Sequence, residues 1–267
     1  MTQPVGVFDS GVGGLTVARA IVDRLPHESL LYLGDTARVP YGNKSPETVR
    51  RYSLNITERL MLGGAKALVI ACNTASAHAL EAVRAAVDVP VIGVIEPVSA
   101  RAIERTQTGR IGVIGTLGTV KSCAYPRALT ALSAAVEVHQ RACPLFVPLA
   151  EEGWTAGRVP REVARTYLAG FAGTAIDTLV LGCTHYPLLR AVIEQVVADE
   201  VGGPVCVLDS AVATAERLAQ VLADDGLLAV AGDPHHKFLV TDDSESFQGV
   251  CERFFGAPVG HVEHVDL

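Results

Sequence analysis

Lysine is scarce in this sequence: Lys44, Lys66, Lys121 and Lys237 are the only four in 267 residues. The formal net charge is −7 and basic residues form no run, so the clustered cations of a nucleic-acid surface are missing. Aromatic residues are also few, 5% with Trp154 as the single tryptophan, too sparse for a base-stacking platform. No apolar stretch reaches the roughly 18 residues of a membrane span. Met1-Thr2-Gln3-Pro4 runs into a strand-like segment without a basic region and an apolar stretch, so a cytoplasmic protein is expected. The six cysteines, at positions 72, 123, 143, 183, 206 and 251, include no C-x-x-C and no zinc-ligand spacing. A reducing compartment makes disulfides unexpected. A functional cysteine must therefore be argued from its surroundings. His235-His236 and His261-x-Glu263-His264 are of metal-ligand type, but they fall in a peripheral tail and no metal is expected there.

What remains is the composition of a folded enzyme. An apolar fraction of 49% fills cores without disulfide or structural metal. The length suits two domains of about 100–150 residues each. Short β-branched runs alternate with helical patterns, and the strand candidates are Val5–Phe8, Leu30–Leu33, Ala67–Ala71, Pro90–Val94, Arg110–Ile114, Thr178–Leu181 and Val205–Leu208. Within Pro46–Leu62, Val49, Tyr52, Ile56 and Leu60 recur at helical spacing. Ser45-Pro46 gives that helix a capping hydroxyl and a first-turn proline. The alternation predicts an α/β protein with mainly parallel sheets flanked by helices.

The chain also repeats itself weakly. Gly6-Val7-Phe8-Asp9-Ser10 resembles Gly112-Val113-Ile114-Gly115-Thr116, an offset of 106 from Gly6 to Gly112. Leu68-Val69-Ile70-Ala71-Cys72-Asn73-Thr74 resembles Leu179-Val180-Leu181-Gly182-Cys183-Thr184-His185, an offset of 111 from Cys72 to Cys183. Buried parallel strands look alike in any case, yet the offsets nearly agree and each pair of strands ends alike. Two similar, pseudo-symmetric domains are expected, 1–94 with 209–267 and 95–208, with the active site in the cleft between them.

In open α/β sheets, ligands sit beyond the carboxyl ends of the strands. Four loops occupy that place: Asp9-Ser10-Gly11, Cys72-Asn73-Thr74, Gly115-Thr116-Leu117-Gly118-Thr119 and Cys183-Thr184-His185-Tyr186-Pro187. The first, Asp9 to Gly14, fails the dinucleotide fingerprint because Thr16 stands where the third glycine belongs. It can still hold a small carboxylate on backbone N–H groups, or its glycines merely permit a tight turn. Asp9, a carboxylate closing a buried strand, is more often a site residue or a cap than core filler. Cys72 and Cys183 each follow an apolar strand and precede a predicted helix, whose N-terminus favours a thiolate. Either alone reads as a small core residue. Two at matching places suit a symmetric reaction, proton removal from one face of a carbon and return to the other. His185, two residues past Cys183, can shuttle that proton or satisfy a loop carbonyl.

The residues Asp9 to Leu15, Val39-Pro40-Tyr41-Gly42, Ala71-Cys72-Asn73-Thr74-Ala75-Ser76, Cys143 to Gly153 and Leu181 to Pro187 resemble the aspartate/glutamate racemase family, in particular its glutamate racemases. The resemblance covers most of the chain; only the tail beyond about Gly226 is generic. It implies interconversion of L- and D-glutamate for peptidoglycan, with neither pyridoxal phosphate nor metal. It assigns Cys72 to D-glutamate and Cys183 to L-glutamate, assisted by Asp9 and His185. One acid of Glu151-Glu152 would lie near the site, Glu151 favoured as the first after Pro148-Leu149-Ala150. Ser10, Tyr41, Gly42, Asn73, Thr74, Thr116, Thr119, Thr184 and His185, with Asp9, would hold the glutamate. A homodimer is compatible with it.

Three competing readings follow from the same residues. One is a racemase for aspartate or another carboxylated amino acid, which assays across amino acids separate. Another is a nucleotide-dependent oxidoreductase using the glycine loop, with Asp35 on a ribose. The last is a non-catalytic regulator, since some members of the family bind DNA gyrase. Lys44 and Lys121 fall near site loops, but the cysteine pair makes Schiff-base chemistry the weaker idea.

Overall fold

The computed structural model describes residues 3–242 and 244–267. An apolar run such as Val5-Gly6-Val7-Phe8 suits a strand covered on both faces, and strand β1 (Val5–Asp9) is buried at every residue. Helix α1 (Leu15–Arg24), β2 (Leu30–Gly34), α2 (Pro46–Leu62), β3 (Ala67–Ile70), α3 (Asn73–Arg84) and β4 (Val91–Gly93) follow. Then come α4 (Ile95–Arg105), β5 (Arg110–Gly115), α5 (Leu117–Lys121), α6 (Ala124–Leu132), β6 (Glu137–Ala142), α7 (Phe146–Glu151) and α8 (Arg158–Leu168). Strand β7 (Thr178–Gly182), α9 (Arg190–Val201), β8 (Cys206–Asp209), α10 (Ser210–Asp224), β9 (Lys237–Val240), α11 (Ser244–Phe255) and β10 (Val262–His264) complete the order.

Among the described residues every strand pair is parallel, in a six-stranded sheet ordered β10-β9-β2-β1-β3-β4 and a four-stranded sheet ordered β6-β5-β7-β8. The chain divides into two compact units, Met1–Val94 with Ala211–Leu267 and Ile95–Ser210. Asp209, expected in the first domain, belongs to the second. It ends β8, which pairs with β7 at Leu181↔Asp209, so the return falls after Ser210.

The register exposes the internal repeat. Phe8 pairs with Ile70 across β1 and β3, and Ile114 pairs with Leu181 across β5 and β7. These are the positions that the offsets of 106 and 111 connect, so the likeness is one of topology as well as of apolar content. The order β2-β1-β3-β4 of the first unit corresponds to β6-β5-β7-β8 of the second. Strands β9 and β10 are the addition in the first.

Local signals explain most elements. Ser45 accepts from the Thr48 N–H at 3.2 Å and Pro46 opens α2, as the capping pattern requires. The buried face of α2, with Val49, Ile56 and Leu60, packs in one cluster with Phe8, Leu68 and Ile70. Each such side chain contributes about 1.5–3 kcal/mol relative to exposure. Three strands lay outside the seven candidates, β9 among them although its Phe238-Leu239-Val240 is apolar and buried. Strand β6, Glu137-Val138-His139-Gln140-Arg141-Ala142, is a half-exposed edge with no apolar run to read. Strands β9 and β10 lie in the tail that looked generic, which instead completes the first sheet.

Candidate active site

From β1 the chain passes to β2 on one side and β3 on the other; from β5 it passes to β6 and then β7. Each sheet therefore reverses its winding direction between two adjacent central strands, where open α/β sheets form their ligand crevices. Asp9 and Cys72 stand at the carboxyl ends of β1 and β3; Thr116 and Cys183 stand at those of β5 and β7.

In the first unit, Cys72 is the N-cap of α3, and the Ala75 N–H donates to its sulfur at 3.5 Å. The open N–H groups and the positive end of the helix dipole favour a thiolate there. The thiol is 5% exposed and lies 3.6 Å from the Ser10 hydroxyl. Asn73 and Thr74, the first two residues of α3, are buried beside it. Asp9 is buried, and its Oδ2 accepts from the Gly14 N–H at 2.8 Å. Gly14 has an ordinary helical φ of −62°, so turn freedom does not explain it. A Cβ there would stand 2.5 Å from the Asp9 Cβ, so close approach does. Tyr32 donates to the Gly11 carbonyl at 3.1 Å. Burial, then the charges of Asp9 and Cys72, push its phenol well above the usual range, so it stays neutral.

Tyr41 and Gly42 open a short 3-10 turn, Tyr41–Asn43. The Tyr41 phenol donates to Asp35. What the turn can offer is backbone: its first N–H groups have no carbonyl partner within the turn. Asp35 itself is fully buried and accepts from Arg38, Tyr41 and Thr241. The ribose-ligand reading is thereby removed.

In the second unit, the predicted helix start at Cys183 is corrected. The residues after it form a 3-10 turn, Tyr186–Leu189, before α9 begins. A turn this short provides less dipole than α3, and other groups surround this sulfur. Cys183, 6% exposed, lies 3.9 Å from His185 Nδ1, and His185 Nε2 lies 2.8 Å from Glu151 Oε1. A protonated ring donates to both neighbours, so the pair can hold and release a proton beside the sulfur. Glu151 ends α7, and its neighbour Glu152 is exposed. Thr116 caps α5 by accepting from the Thr119 N–H at 3.4 Å, and the two hydroxyls lie 3.1 Å apart. Thr184 is buried next to Cys183.

The remaining thiols differ. Cys123 and Cys206 are exposed. Burial pushes the Cys143 thiol far up, against Arg141, and pushes Cys251 up to about 11. Among the described residues, no three His, Cys, Asp or Glu side chains converge as metal ligands, the tail histidines included. No helix among them is long and apolar enough to cross a membrane. A cavity of about 740 Å³ in the first unit, lined by Pro4, Leu30, Arg59 and Lys237, borders none of these site residues.

Comparison with known proteins places this geometry. Residues 12–218 match the Asp/Glu/Hydantoin racemase family. The glutamate racemase of Geobacter metallireducens is 52% identical over 266 residues, covering 99% of this chain and 97% of that protein. The RacE1 isoform of glutamate racemase from Bacillus anthracis superposes with a TM-score of 0.92 at 41% identity, covering 99% of this chain and 98% of that one. The glutamate racemase of Francisella tularensis, solved in complex with D-glutamate, gives 0.93 at 35% identity, again covering 99% and 98%. The chain belongs to the Asp/Glu/Hydantoin racemase family, as an isomerase, and is similar at high identity to the glutamate racemases above.

Proposed function

We propose that this racemase interconverts L- and D-glutamate with two thiols and no cofactor, Cys72 and Cys183 serving opposite faces of the α-carbon. The observation that carries the reading is their placement at corresponding strand ends, each with its own proton-handling neighbours. The Francisella relative in complex with D-glutamate supports the substrate. In one direction the Cys72 thiolate takes the α-proton of D-glutamate, and the Cys183 thiol gives a proton to the other face. The thiols then hold opposite protonation states, and L-glutamate reacts by the reverse path. Asp9 assists Cys72; His185 backed by Glu151 assists Cys183. Hydroxyl, amide and backbone donors at Ser10, Tyr41, Gly42, Asn73, Thr74, Thr116, Thr119 and Thr184 hold the carboxylates. They also stabilise charge as the carbanion develops. The product D-glutamate would serve peptidoglycan synthesis in the cytoplasm.

Serine is a far weaker base than a thiolate near neutral pH, so Cys72→Ser and Cys183→Ser should each lose several orders of magnitude of racemisation. The partial reactions separate them. Cys72→Ser should still exchange the α-proton of L-glutamate with solvent deuterium, and Cys183→Ser that of D-glutamate. Cys123→Ser and Cys206→Ser, at exposed positions, should keep turnover. Circular dichroism follows racemisation and mass spectrometry follows deuterium, with chelator present and aspartate assayed in parallel. Parental rates from either site variant would end the two-thiol reading, and a metal requirement would end the cofactor-free one.

A further inference from the structure

Asp35 is a fully buried carboxylate with no part in the proton transfers described above. Its partners come from separate stretches of chain. Arg38 Nε donates to both oxygens at 2.8 Å, Tyr41 Oη donates to Oδ2, and Thr241 Oγ1 donates to Oδ1 at 2.9 Å. The backbone N–H of Asp35 donates to the Asp9 carbonyl at 3.0 Å, so the same residue also grips the end of β1. The Arg38 guanidinium lies over the Tyr52 ring, 4.3 Å from its centroid, and the Tyr41 ring stands 5.9 Å from Tyr52. Tyr41 in turn packs in one core cluster with Cys72 and Ala75. Burial, then the charge of Asp35, pushes the Tyr41 phenol far above its ordinary range. It therefore remains a hydrogen-bond donor at any working pH. One end of segment 35–41 is thus tied to the end of β1, and the other packs in the core cluster that holds Cys72.

We propose that Asp35 is a positioning residue. Through Tyr41 and Arg38 it holds the 39–43 segment so that the Tyr41 and Gly42 N–H groups stand ready for a substrate carboxylate. The proposal rests on the glutamate reading above. Backbone donors that bind a carboxylate away from the reacting carbon grip ground state and transition state alike. Their loss should appear in KM and leave kcat largely intact. A purely structural carboxylate would instead lower the melting temperature and leave the KM of the folded enzyme alone.

The test compares Asp35→Asn with Tyr41→Phe, which keeps the packed ring and removes only the hydroxyl. A misplaced pair of N–H donors should raise KM about ten-fold for both enantiomers, with kcat changed less than about three-fold. Hydrogen exchange at Lys44, whose N–H donates to the Tyr41 carbonyl at 3.0 Å, should quicken by about ten-fold or more, while the strands keep their protection. Unchanged exchange in Tyr41→Phe would overturn the positioning role, and it decides the matter even if Asp35→Asn fails to fold. Quickened exchange with unchanged KM would overturn the link to substrate. A parental enzyme inactive on glutamate would sink the functional reading instead, with the exchange result still deciding whether Asp35 orders the segment.

Discussion

Glu151 and Glu152 are adjacent acids at the end of one short helix, and only Glu151 reaches His185. A carboxylate against the outer ring nitrogen fixes the orientation of the ring beside the Cys183 sulfur. Glu151→Gln keeps the shape and removes the charge. It should lower kcat/KM about ten-fold or more. Enantiomers have equal free energies in water, so kcat/KM must fall equally in both directions; any asymmetry belongs to kcat and KM separately. Glu152→Gln, at an exposed position, should leave both rates as they are. Circular dichroism at saturating and limiting substrate measures this, and equal rates in Glu151→Gln and the parent would remove the acid from the relay. The sequence made the thiols visible because strand-end cysteines in two matching contexts are an unusual pattern. It could not show that the Tyr41 phenol faces inward to Asp35, because a loop tyrosine carries no periodicity from which to read its direction.

Elements were legible where burial on both faces leaves a continuous apolar run, as in β1, β3, β5 and β7. Edge position alone did not hide a strand, since the edge strands β4 and β8 overlapped apolar candidates, but β6 and β10 stayed hidden. Strand β6 is only partly buried along its length and carries no apolar run, and β10 is only three residues long. The two thiol-bearing turns also looked equivalent in sequence. The structure separates them into an α-helix N-terminus at Cys72 and a 3-10 turn at Cys183. That difference explains why one sulfur leans on helix N–H groups and the other on an imidazole. The turn from β1 into α1 makes a further point about spacing. Gly14 lets the helix start close enough for its N–H to hold Asp9, and a Cβ there would also stand 3.0 Å from the Ala71 Cβ. Gly14→Ala should cost about 1–3 kcal/mol of stability through overpacking. It should also lower turnover beyond that loss, because Asp9 has to move. Urea denaturation paired with kinetics on the folded fraction checks both, and full turnover in that variant would mean Asp9 needs no fixed position.

At the scale of the molecule, the chain leaves the first sheet after Val94 and returns after Ser210, so that sheet is assembled from segments far apart in sequence. A buried ion pair holds the returning segment in place. Lys66 Nζ lies 2.7 Å from Glu28 Oε2 and donates to the Leu227 carbonyl at 2.7 Å, while Glu28 Oε1 accepts from the Ala229 N–H at 2.7 Å. Both side chains are almost wholly buried. Two charges taken out of water gain little net stability against an apolar pair of the same volume, yet removing one partner strands the other. Lys66→Met should therefore destabilise the first unit by about 3–5 kcal/mol. Adding Glu28→Leu should recover much of that loss, since the stranded carboxylate is then gone; recovery stays incomplete because the Ala229 N–H loses its acceptor. Equilibrium denaturation of the parent, both single variants and the double variant forms the cycle, with limited proteolysis reporting on residues 227–236. The clamp lies on the segments leading into β2 and β3, away from Cys72, so folded Lys66→Met should racemise at the parental rate. A double variant no more stable than Lys66→Met would show that the pair itself, and not the stranded charge, holds the returning chain.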